Sequence, residues 1–66
     1  MFCLALKDPG RDIIGYYVDG CNIIHDRSNA LRFETYKLAL EAEKEANREL
    51  QARHLGCLYK YVAVIA

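Results

Sequence analysis

Sixty-six residues make a single domain, 1–66, and a chain this short buries only about 60% of its unfolded surface. Such domains are usually braced by disulfides, a metal or a second copy. Nine Lys and Arg balance nine Asp and Glu, which removes the strong positive field that a nucleic-acid binder uses. A hydrophobic share of 53% excludes a disordered chain, yet no run approaches the ~20 apolar residues that cross a bilayer.

The first element is a strand over 2–6, Phe-Cys-Leu-Ala-Leu. Asp8-Pro9-Gly10-Arg11 is a turn: proline presets φ, and Gly10 is the residue expected to take the unusual one. A second strand over 13–18 makes a hairpin with the first and ends at the turn signal Asp19-Gly20. Residues 21–25 form a short extended piece, a candidate third hairpin strand. In the connector 26–35, Asp26, Ser28 and Asn29 are capping types that suit a single helical turn, and Ala30, Leu31 and Phe33 would anchor it.

Thr35 is the expected N-cap of the main helix, with Ser28 as the competing start. The helix runs over 36–54 and is rich in Ala, Leu, Glu, Lys and Arg, all strong helix formers. At 100° per residue Ala39, Ala42, Ala46 and Leu50 share one stripe, with Tyr36 at its edge and Lys37, Glu41, Lys44, Glu45 and Arg48 opposite. Glu49 and Arg53 form an i,i+4 pair, and Gly56 stands where a left-handed C-cap glycine belongs. A long last strand covers 57–65. The fold class is therefore α+β: a small, three- to four-stranded, mainly antiparallel sheet in ββ(β)αβ order, with one long helix packed on one face.

Each strand carries large apolar side chains at both odd and even positions, and alternate strand residues face opposite sides of a sheet. One helix covers one side, so the other side is expected to meet a second subunit or a partner protein. If Phe2, Leu4 and Leu6 share the core with Ile14, Tyr16 and Val18, the second face shows Ile13, Tyr17, Tyr59, Tyr61 and Ile65 as the candidate interface. The reverse assignment stays open, because Lys60 falls in the register of Val62. Pairing through the edge of the last strand is a second route to a homodimer.

Candidate chemistry is sparse. Cys21, His25, His54 and Cys57 contain the two Cys and two His of a structural zinc site. In an extended strand, however, positions i and i+4 lie ~13 Å apart, too far to share an ion. Small buried hydrophobes are the favoured reading of Cys21 and Cys57, and a solvated helix-end residue that of His54. The pairs Cys57–His54 and Cys21–His25 lack an orienting third group for nucleophilic catalysis. Asp8, Asp12, Asp19 and Asp26 sit at turns, where aspartate serves capping. No enzyme activity and no cofactor are expected. Tyr17, Tyr59 and Tyr61 could stack unpaired bases if they shared an open sheet face, which keeps single-stranded nucleic acid as an alternative partner.

Three cysteines, Cys3, Cys21 and Cys57, fit poorly with a disulfide framework, and the opening Met-Phe-Cys-Leu-Ala-Leu lacks the positive region of a signal peptide. A reduced, cytoplasmic protein away from the membrane is the expectation.

Gly15-Tyr16-Tyr17, His25-Asp26, the run Ala30-Leu31-Arg32-Phe33-Glu34-Thr35, and then Ala39 and Ala42 cover about half of the chain. This stretch resembles small phage and prophage accessory proteins: a strand ending in aromatics, an Ala-x-x-Phe anchor, a Thr or Ser cap and an alanine-rich helix. The resemblance implies an accessory role in which the chain binds and inhibits a host protein, as anti-CRISPR proteins do. It assigns no functional residue.

Overall fold

The computed structural model describes residues 1–19, 22–56 and 58–66. Its elements are β1 (Phe2–Lys7), β2 (Ile13–Tyr17), β3 (Ile23–Ile24), a single 3-10 turn (Arg27–Asn29), α1 (Tyr36–Ala52) and β4 (Lys60–Ile65). The strands form one antiparallel sheet in the order β3-β2-β1-β4, so the first strand in sequence is central and the last lies at an edge. The expected α+β architecture is the observed one, including the short third strand.

The tight loop after β1 is held by the Asp8 carboxylate, which accepts from the Asp12 amide at 2.9 Å, and by Arg11 N–H on the Asp8 carbonyl at 2.9 Å. Arg11, not Gly10, takes the left-handed conformation, with φ 67°. The Pro9-Gly10 signal locates the turn but misplaces its left-handed residue by one. The connector forms where its capping residues suggest: Asp26 caps the 3-10 turn by accepting from the Ser28 amide at 3.0 Å. It then lays Phe33 beside Phe2, each amide donating to the other's carbonyl at 2.9 and 2.7 Å.

α1 begins at Thr35, whose hydroxyl accepts from the Leu38 amide at 3.2 Å. Its alanine stripe meets the sheet, with Ala39 and Ala46 buried and Ala42 and Leu50 packed beside the core. Short side chains let helix and sheet approach closely. The helix lies over β1 and β4, towards the β4 edge of the sheet.

The helix ends in a Schellman motif. Leu55 N–H reaches the Leu50 carbonyl at 2.8 Å, and His54 N–H reaches the Gln51 carbonyl at 3.0 Å. The left-handed residue is His54, φ 61°, and no glycine among the described residues has a positive φ. Gly56 has a different reason to be glycine: a Cβ there would stand 2.7 Å from Gln51 Cγ as the chain doubles back past the helix.

The core comprises Leu4, Leu6, Ala46 and Tyr61, with Ile14, Tyr17, Phe33, Leu50, Tyr59 and Ala63 packed against it. Leu4 is fully buried. The registers Leu6↔Tyr61, Leu4↔Ala63 and Leu6↔Gly15 put the even residues of β1 and the odd residues of β4 on the helix side. The expected core parity of β2 is overturned by a bulge. Leu6 opposes Gly15 and Lys7 opposes Ile13, leaving Ile14 as the extra residue. Both Ile14 and Tyr17 reach the helix side, while Tyr16 lies opposite Ala5 on the other face.

Candidate interaction surfaces

The five residues expected at an interface do not share one exposed face. Tyr61 is 5% exposed and belongs to the core. Tyr17 meets it edge-to-face with ring centroids 5.4 Å apart, and Tyr59 packs against the same cluster. Ile13 and Ile65 are exposed, at 47% and 73%, but occupy opposite ends of the strand system. Tyr17 and Tyr61 thus meet each other on the helix side of the sheet, with Tyr59 half-buried beside them.

The face turned away from the helix carries Cys3, Ala5, Lys7, Tyr16, Ile24, Lys60, Val62 and Val64, as the registers Ala5↔Tyr16, Tyr16↔Ile24, Cys3↔Val64 and Ala5↔Val62 require. Cys3 and Ala5 have no accessible surface, while Tyr16, Ile24, Val62 and Val64 are half-buried. Burial pushes the Cys3 thiol above its ordinary pKa of 9.0, and the Arg27 and Arg32 guanidiniums oppose that shift. These arginines therefore stand near the Cys3 end of this face. At the other end Lys7 and Lys60 are direct cross-strand neighbours, and among the described residues neither has an ion-pair partner. The result is an apolar strip with cations at both ends.

On the helix side, the off-centre position of α1 leaves a cleft of about 270 Å³ beside β2 and β3. Leu6, Ile14, Ile23, Leu50, Leu55 and Tyr59 are among its walls. Leu50 and Leu55 face it together because the Schellman motif brings those two positions side by side. The i,i+4 pair read from the sequence, Arg53 and Glu49, lies on its rim with nitrogen and oxygen 3.8 Å apart. The volume is just below the range of small-molecule sites and suits one large apolar side chain.

A residue the sequence reading passed over closes the outer edge of β4. The Asn47 carboxamide accepts from Tyr61 N–H at 2.8 Å and donates to the Tyr61 carbonyl at 3.1 Å. Its side chain thereby mimics one rung of a β-ladder. The signal available in sequence was an asparagine, a weak helix former, in mid-helix among Ala, Glu and Arg.

Of the four possible zinc ligands, Cys21 and Cys57 lie outside the described residues. His25 is exposed after β3, and His54 is exposed at the helix end. Among the described residues no three His, Cys, Asp or Glu side chains converge on a metal position. The Asp26 carboxyl is held as the charged form by its neighbours. The Ser28 hydroxyl and amide, and then the Asn29 side chain, donate to it and hold it below its ordinary value of 3.8, against an opposing desolvation. Its hydrogen bonds are those of a cap. No helix of the described residues is long and apolar enough to cross a membrane.

No family model matches this chain, and searches of curated proteins and of solved structures gave no match.

Proposed function

We propose that this chain is a small protein-binding module that works as a homodimer, with the contact on the sheet face turned away from α1. The observation that carries this reading is the apolar strip of half-buried Tyr16, Ile24, Val62 and Val64 on that face, around the fully buried Ala5. Area sets the strength of the contact. The strands of six, five, two and six residues, at ~3.3 Å per residue and ~4.8 Å spacing, cover roughly 300 Å² in projection. A standard interface takes about 800 Å² from each partner. The dimer is therefore weak and exchanges readily, and a host protein with an apolar patch rimmed by acidic side chains can displace the second copy. That displacement fits the inhibitory, accessory role which the resemblance to phage and prophage proteins implies.

Light scattering coupled to gel filtration over a concentration series tests the reading. The mass is expected to rise from 7.6 kDa towards twice that value as concentration increases. Tyr16→Lys, which puts a charge on β2 between Ile24 and Ala5 in the middle of the strip, should hold the chain at monomer mass. A wild-type chain that stays monomeric at millimolar concentration refutes it.

A further inference from the structure

β4 is an edge strand, and side chains from distant parts of the chain meet its outward backbone groups at Tyr61 and Ile65. The antiparallel ladder turns the N–H and C=O of alternate residues to opposite sides. Tyr61 points outward, since both of its backbone groups meet Asn47, and Ala63 and Ile65 share its parity. At the far end the Arg27 guanidinium donates to the Ile65 carbonyl at 3.4 Å. Only Ala63 presents a full backbone pair between these two side chains. An unprotected edge of this kind is a template for another strand, and native sheets block it with side chains or charges.

We infer that Asn47 is an edge guard: its carboxamide occupies the Tyr61 slot and prevents β4 from pairing antiparallel with β4 of a second copy. With the slot filled, an incoming strand loses the Tyr61 rung and meets the Asn47 side chain where its own backbone should lie. With the slot empty, two successive outward residues, Tyr61 and Ala63, present full backbone pairs for docking, flanked by the exposed Ile65 side chain. The inference does not depend on the sheet-face dimer, because the edge and the face are different surfaces.

The test is sedimentation velocity on Asn47→Ala in the Tyr16→Lys background, where face-to-face association is already suppressed and β4 is left unaltered. Opening the edge should strengthen self-association at least tenfold relative to Tyr16→Lys alone. Adding Ala63→Pro should reverse that gain. Proline removes an outward N–H that the ladder to β1 does not use, so it blocks edge pairing without breaking the sheet. Unchanged self-association in folded Asn47→Ala, or a gain that Ala63→Pro leaves intact, overturns the inference. Should Asn47→Ala fail to fold, amide hydrogen exchange on the wild-type chain decides. The guard requires a protected Tyr61 amide and an Ala63 amide at least tenfold faster at low concentration. Equal protection of the two means that the edge is paired by other means, and the inference fails.

Discussion

His54→Gly should stabilise the protein, although glycine at a helix end usually needs defending. His54 occupies the left-handed position of the Schellman motif with φ 61°, and its side chain is exposed. A residue with a Cβ pays about 1–2 kcal/mol to adopt this conformation. Glycine avoids that cost but loses roughly 0.4–1 kcal/mol through the greater freedom of its unfolded chain. The net expectation is a gain of about 0.5–1 kcal/mol. With m near 1 kcal/mol/M for a small domain, the urea midpoint should rise by roughly 0.5–1 M at unchanged m. His54→Ala is the control: it keeps the Cβ and should move the midpoint little. Equal effects of Gly and Ala, or a lower midpoint for Gly, would refute the backbone-strain argument.

Arg11 presents the same strain in the β1–β2 loop, and Arg11→Gly should raise the thermal midpoint by a few degrees in calorimetry, since ~1 kcal/mol corresponds to about 4–8 °C in a domain of this size. Leu4→Ala removes a fully buried side chain from the central strand and should cost about 2–5 kcal/mol, a large part of the total stability of so short a chain. Circular dichroism melts should show a fall of at least roughly 10 °C or no cooperative transition. The Cys3 thiol has a folded pKa raised above 9.0, so stability is fully present below pH 9.0 and declines as pH rises past it, where the unfolded thiol ionises first. Cys3→Ser should not show this alkaline loss in urea titrations at pH 8 and pH 10, and alkylation of Cys3 mapped by mass spectrometry should be slow in the native chain at pH 8.

The elements with strong local causes were legible in the sequence. Pro9-Gly10 marks the hairpin, Thr35 starts the helix, Asp26 with Ser28 makes the 3-10 turn, and the alanine stripe is the buried face. What escaped depends on contacts between segments. One extra residue at Ile14 decides which tyrosine of β2 faces the helix, and nothing local announces a bulge opposite Leu6 and Lys7. Tyr17 lies on the core side in that register. Tyr61 lies there because the odd residues of β4 face the helix, the reverse assignment left open by Lys60 in the register of Val62, and Tyr59 packs against the same core. Gly10 and Gly56 misled because glycine is permitted, not obliged, to adopt positive φ, and their neighbours Arg11 and His54 took it instead. Asn47 acts on a strand 14 residues further on, beyond any local pattern.

The placement of β1 has a kinetic consequence. Its first residue is bridged to Phe33 on one side and Ile65 on the other, so Phe2↔Ile65 closes a loop of 63 residues (65 − 2) in a 66-residue chain. The entropy of that closure is lost before the middle of the sheet is complete, whereas α1 and the β1–β2 hairpin form from neighbours. Folding should therefore be slow for so small a domain, with the joining of β4 to β1 as its late, rate-setting step.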